Sequence, residues 1–224
     1  TASRALYMTG KATELAAVNV RDNLLECMAE YFGVSAGELD LGDSKVFVLD
    51  NPERCMSTKE MAKHCAAQGV HRHSLEIYRA PPSEGLDPET GQGEVFPDFT
   101  YGAHAAKVSV DIDTGEVTVI KSVGAHDVGQ SINLRAVEGQ IEGSALMGQG
   151  FALSEELILE KGVLKNGSFS EYLIPTSEDV PEIESIVLES RSGLGPFGSK
   201  GIGEPVFAPV AASIVNAVAD AIGT

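Results

Sequence analysis

The sequence is short of basic residues, of cysteine and of long apolar runs, and each shortage argues against a class of function. Sixteen Lys and Arg face 33 Asp and Glu over 224 residues, a net charge of −17. A chain this acidic is a poor partner for nucleic acid or an anionic membrane. No apolar run approaches the roughly 20 residues needed to span a bilayer. The opening Thr-Ala-Ser-Arg-Ala-Leu has no apolar signal core. It also lacks an initiator methionine, as expected of a processed subunit or a piece of a longer chain. The only cysteines are Cys27, Cys55 and Cys65, and no Cys-x-x-Cys spacing occurs. An odd, scattered count argues against a disulfide framework or a zinc knuckle. It also falls short of the four thiolates that an iron–sulfur cluster takes. A reducing, cytoplasmic setting is the expectation.

At 43% hydrophobic residues, the chain can bury a core in one or two domains. Residues 11–32 carry Ala17, Val20, Leu24, Met28 and Tyr31 at three- and four-residue spacing, which predicts an amphipathic helix stopped at Gly33. A turn from Ser35 leads to a short strand at Lys45–Leu49, and Asn51-Pro52 breaks the chain. Ser57 with Glu60 three residues on reads as a capping box, opening a helix that runs to about Gly69. Ser74–Arg79 reads as a strand. Residues 80–97 form a Pro-, Gly- and acid-rich loop, where we place a boundary between lobes 1–95 and 96–224. Strands at about Ala103–Ile112 and Val117–Ala125 flank an Asp113-Thr-Gly-Glu116 turn, a hairpin signature. A glycine-studded helix over 134–154, short strands around Asn166-Gly167, a strand at Ile183–Leu188 and a helix from Pro205 or Pro209 to Ile222 complete the pattern. Helices and hairpins alternate irregularly, so the fold class is α+β, with mixed sheets layered with helices.

The run from Gly195 to Pro205 holds four glycines and two prolines and ends on a single carboxylate, Glu204. Such a run excludes an ordinary helix or central strand. By residue type alone, Glu204 reads as an acid near a helix N-terminus. Gly193, Gly195 and Gly198 match a Gly-x-Gly-x-x-Gly pattern, but Pro196 lies inside it and Gly201 and Gly203 follow where the helix should run. Asp98 and Asp127 are other candidate bases in less constrained loops. His71 and His73 would share a strand face, with no further ligand nearby to complete a metal site. His126 beside Asp127 reads as a hydrogen-bonded structural pair or a pocket residue, with the structural role favoured. Gln140 lies between Gly139 and Gly143. Those glycines open one helix face, either for helix packing or for a flat heterocycle that the Gln amide could pair with.

Four segments in order give these residues a common context: Thr1-Ala2-Ser3-Arg4 with Gly10-Lys-Ala12; Tyr101-Gly-Ala-His104 leading to Val108-Ser-Val-Asp111; Asp127-Val-Gly129 through Val137-Glu-Gly-Gln140-Ile-Glu-Gly143 to Gly150; and Ser199-Lys-Gly-Ile-Gly-Glu204-Pro205 with Ala211–Ala217. Together they resemble the C-terminal part of the molybdopterin-binding subunit of the molybdenum hydroxylases, the xanthine dehydrogenase and aldehyde oxidase family. The resemblance spans nearly the whole chain. It implies that Glu204 is the general base and that Gln140 hydrogen-bonds the pterin. It implies that Ala2, Ser3 and Arg4 wrap the molybdopterin cofactor, in its dinucleotide form, and that Lys200 and Gly201 shape the pocket behind the metal. The implied reaction hydroxylates an aldehyde or N-heterocycle with oxygen from water. Electrons would leave through iron–sulfur clusters and FAD on partner subunits or domains. The family's subunit is longer, and its N-terminal half supplies further cofactor and substrate contacts. The chain is therefore expected to be a fragment or a split subunit, inactive alone. The competing expectation is a non-catalytic assembly module of the same fold.

Overall fold

The computed structural model describes residues 2–83 and 85–224. They form two compact units, one of Met8–Ala80 and one in which the segment up to Tyr7 joins the chain from Pro81 onward. Helix α1 (Ala2–Ala5) leads through a π-helical turn, Leu6–Gly10, into helix α2 (Lys11–Phe32). No helix among the described residues is long and apolar enough to cross a membrane.

In the Met8–Ala80 unit, α2 ends at Gly33, whose φ of 65° is the left-handed conformation that glycine adopts without cost. Its N–H bonds the carbonyl of Ala29. Strands β1 (Leu39–Gly42), β2 (Lys45–Val48) and β3 (Asn51–Ser57) form an antiparallel sheet in that order. Ser57 then caps helix α3 (Thr58–Ala67) with Glu60 through the capping box expected from sequence. Leu25, Met28, Val46, Met61 and Cys65 form this unit's core. Two expectations fail here. The chain does not break at Pro52 but continues as β3. That strand lies at the sheet edge, where proline removes no ladder bond that the sheet needs. Residues 74–79 form no strand, because alternation supplies no partner edge: Leu75 and Ile77 remain 83% and 74% exposed.

In the other unit, β4 (Gly102–Val110) and β5 (Val117–Asp127) pair as the expected antiparallel hairpin. Asp111 accepts the amides of Asp113 and Thr114 in the turn. Strand β8 (Glu182–Leu188) adds to β5 in parallel, giving a mixed sheet. Helices α4 (Leu134–Leu153) and α5 (Val210–Ile222) pack on the sheet and on each other. Gly148 allows that contact, since a Cβ there would meet Val210 Cβ at 2.4 Å. Between α4 and β8, strands β6 (Leu159–Glu160) and β7 (Val163–Leu164) form a small hairpin. Its turn is Lys161-Gly162, both at positive φ, rather than Asn166-Gly167. Asn166 is buried instead and bonds the backbone of Ile158 and Glu156. Helix α5 begins at Val210, behind turns over 203–209, so Glu204 does not cap it.

Candidate functional site

The glycine-rich loop is folded on its own backbone. The Gly193 amide donates to the Gly198 carbonyl and the Gly195 amide to the Ser199 carbonyl, both at 3.0 Å. A Cβ on Gly193 would lie 2.1 Å from Ser199 O, and one on Gly129, at φ +67°, would lie 2.1 Å from Gly198 O. These glycines serve close approach of backbone to backbone. This agrees with the sequence argument against a nucleotide-binding role for Gly193, Gly195 and Gly198, for their amides are occupied within the loop.

The loop is fastened to the end of β5. The Lys200 amide donates to Val128 O at 2.8 Å, and its ammonium reaches Asp127 Oδ2 at 2.8 Å. Asp127 also accepts from the Gly129 amide and from the amide and hydroxyl of Ser190. Burial pushes its carboxyl up, but these donors outweigh burial and hold it well down, at about 2. Asp127 is therefore a structural anion and no base for neutral pH. Its neighbour His126 pairs not with it but with His104, Nε2 to Nε2 at 2.8 Å across β4 and β5.

Asp98 is also committed. Its Oδ2 accepts from the Tyr7 hydroxyl at 2.9 Å and from the Leu194 amide at 3.0 Å. Tyr7 in turn accepts the Gly201 amide at 3.0 Å, and Thr100 donates to the Gly201 carbonyl at 3.1 Å. Burial, together with the Asp98 carboxylate and against the Gly201 amide, lifts the Tyr7 phenol to about 12. It stays protonated and able to donate.

The structure brings Ser3, Lys200 and Gly201 together. A Cβ on Gly201 would meet Ser3 Cβ at 2.4 Å, so only glycine admits α1 at that distance. Ala2 opens α1, and Arg4 on the same turn is exposed. Lys200 is buried against Asp127, so its charge faces the protein. Gln140 and Glu204 are both exposed. Chain neighbours of both belong to one apolar cluster, in which Val128, Val137, Ile141 and Val206 are buried and Ile202 packs alongside. Ile141 follows Gln140 on α4, and Ile202 and Val206 straddle Glu204. Sequence reasoning missed Tyr7 and Thr100, and their only signal was position beside motif residues. His71 and His73 form an exposed edge-on ring pair off any strand. Among the described residues no three His, Cys, Asp or Glu side chains converge as a metal site.

The residues fit a large polar cofactor held by hydrogen bonds. A Cβ on Gly139 or Gly143 would meet nothing within 4 Å, so the α4 face carrying Gln140 is open rather than packed. The Oγ atoms of Ser3 and Ser199 are buried without a partner among the described residues. Orphaned hydroxyls of this kind are costly unless something bonds them.

Comparison with known proteins gives this geometry a setting. Residues 1–181 match the family of the molybdopterin cofactor-binding domain. The putative xanthine dehydrogenase molybdenum-binding subunit of Escherichia coli is 31% identical over 99% of the chain and 28% of that protein. The nicotine 6-hydroxylase large subunit of Paenarthrobacter nicotinovorans is 32% identical over 98% of the chain and 26% of that protein. Quinoline 2-oxidoreductase from Pseudomonas putida 86 superposes with a TM-score of 0.74 at 29% identity, covering 92% of the chain and 26% of that structure. The chain thus spans about a quarter of the length of the relatives it matches.

Proposed function

The chain belongs to the molybdopterin cofactor-binding domain family, and from that premise we propose that it forms one wall of the active site of a molybdenum hydroxylase, with Glu204 as general base. The observation that carries this reading is the placement of Glu204. It is an exposed carboxylate at the end of a loop otherwise locked to itself, and Val206, two residues on, is buried in the same apolar cluster as Ile141, which follows the exposed Gln140. The other two candidate carboxylates, Asp98 and Asp127, are spent on structural hydrogen bonds.

When bound, the cofactor would supply a metal able to accept two electrons from an electron-poor carbon. Every other part assigned to this chain is binding and proton handling. Gln140 donates and accepts at the pterin edge, on a helix face that Gly139 and Gly143 keep flat. Ser3 and Arg4 would wrap the dinucleotide form, Ser3 through its hydroxyl and Arg4 through its charge on phosphate. Ala2 opens that turn. Lys200 and Gly201 hold the loop behind the metal without contributing charge to the pocket. Glu204 takes a proton at a carboxylate oxygen as oxygen from water adds to the carbon of an aldehyde or N-heterocycle. The overall balance is substrate C–H plus water giving C–OH, two protons and two electrons. Iron–sulfur clusters and FAD on partner subunits or domains would accept those electrons. The other wall, with most substrate contacts, comes from the remaining part of the molybdenum subunit.

Metal and pterin analysis of the assembled enzyme tests the binding half of this reading. Stoichiometric molybdenum that is lost in Gln140→Ala supports it. Wild-type molybdenum in that variant, or none in the unaltered complex, points to an assembly module instead.

A further inference from the structure

The Glu204 side chain is exposed, so its position is inherited from the backbone on either side. On the C-terminal side, Val206 is buried in the apolar cluster with Val137 and Ile141. On the N-terminal side the fixed point is Gly201. Its amide donates to the Tyr7 hydroxyl at 3.0 Å and its carbonyl accepts from Thr100 at 3.1 Å. Tyr7 is itself aimed, because its hydroxyl donates to Asp98 Oδ2 at 2.9 Å. The same carboxylate oxygen accepts the Leu194 amide at 3.0 Å. Asp98 and Tyr7 therefore join the two ends of the glycine-rich loop, Leu194 and Gly201, through two side chains.

We propose that Tyr7 and Asp98 are positioning residues for Glu204, acting through the Gly201 backbone. The chemistry suits the task. A phenol bonded to a carboxylate has its donor fixed in one direction, which leaves its lone pairs for the incoming amide. Tyr7 follows Ser3 by four residues, one helical turn on, and Ser3 lies against the same Gly201. The segment assigned to the cofactor and the loop carrying the base thus meet at one glycine. A shift of that glycine is passed along three residues to Glu204, and a displacement of about 1 Å at a reacting group can cost on the order of a hundredfold in rate.

The inference rests on the reading of Glu204 as the base, and the test separates the two. Tyr7→Phe, Glu204→Gln and the double variant are made in the assembled enzyme. Each is assayed by steady-state and single-turnover kinetics with quinoline, or with whichever aldehyde or N-heterocycle of a screened set the unaltered enzyme oxidises fastest. Tyr7→Phe should lower kcat by about tenfold or more, with KM within about twofold and molybdenum content unchanged. In the Glu204→Gln background the same change should cost nothing further, because there is no base left to aim. Unaltered kcat in Tyr7→Phe, or an equal loss in both backgrounds, overturns the positioning role while leaving the base assignment standing. Near-normal turnover in Glu204→Gln overturns the base reading, and this proposal with it. Asp98→Ala repeats the experiment from the other end of the pair if Tyr7→Phe fails to assemble, with the same outcomes deciding.

Discussion

Lys200 Nζ lies 2.8 Å from Asp127 Oδ2, with only 4% and 14% of the two side chains exposed. The Lys200 amide bonds the carbonyl of Val128, the next residue after Asp127. One residue of the loop therefore grips two consecutive residues at the end of β5, once by charge and once by backbone. This double attachment fastens the loop to the sheet one residue before Gly201.

Replacing the ammonium should expose how much depends on it. Lys200→Met keeps the stem and leaves a largely buried carboxylate without the ammonium that bonds it. Removing one partner of a buried pair costs roughly 3 kcal/mol at the lower end of the usual range. The low end applies here because Gly129 and Ser190 still bond Asp127. The pair's contribution also has a pH signature. The folded Asp127 carboxyl is lowered from 3.8 to about 2, so this stability is present above 3.8 and is lost as pH falls through about 2. Melting curves between pH 2 and 7 should show a gap between wild type and Lys200→Met that narrows toward the acid end. A gap that stays constant would mean Asp127 is not the group concerned.

Gly139 offers a test in which stability and function move in opposite directions. It sits inside α4, where glycine costs roughly 0.5–1 kcal/mol relative to alanine. A Cβ there meets nothing within 4 Å. Gly139→Ala should therefore raise the melting temperature of the cofactor-free protein. If the open face receives the pterin beside Gln140, the same methyl should reduce molybdenum retention in the assembled enzyme. Higher stability with full metal content would mean the cofactor does not approach that face. Gly201→Ala makes the contrast, because its Cβ would strike Ser3 and should lower stability and metal content together.

Local signals were legible where one segment decides its own structure. The Ser57–Glu60 capping box, Gly33 as a helix stop and the Asp-Thr-Gly hairpin each act within a few residues, and each appears as read. Failures occurred where a distant partner decides. Leu75 and Ile77 alternate like a strand but find no edge, while Pro52 sits in a strand because the sheet ends there. The site divides in the same way. The motifs contain Glu204, Gln140 and Lys200, but no pattern announces that Tyr7 would bond Gly201, which lies 194 residues away. Asp98 and Asp127 could be weighed as bases from sequence, and only their bonding partners removed them. The spacing of Gly193, Gly195 and Gly198 matches a nucleotide motif, whereas the backbone they accommodate is that of their own loop, which spacing alone does not reveal.

The histidine pair predicts a second, separate acid sensitivity. His104 is lowered from 6.5 to about 4, chiefly by burial and then by the neighbouring His126, which burial also lowers. A histidine kept neutral in the fold binds fewer protons than it does unfolded, so stability rises with pH across this window. The contribution is complete above 6.5 and falls away toward about 4. Melting temperature should therefore drop between pH 6.5 and 4, well above the range of Asp127. His104→Phe should flatten that slope by removing one titrating ring. An unchanged slope would place the acid sensitivity elsewhere.

Glu204→Gln isolates the proton-accepting step from everything the loop does structurally. Glutamine keeps the size and the exposed setting of the side chain, and Gly201 and Val206 hold the backbone on either side without the carboxylate. Folding, assembly and molybdenum content should be unchanged. Turnover should fall by at least about a hundredfold, the lower end of the contribution of a positioned general base. A loss accompanied by loss of molybdenum would mean the carboxylate serves the cofactor and not the proton.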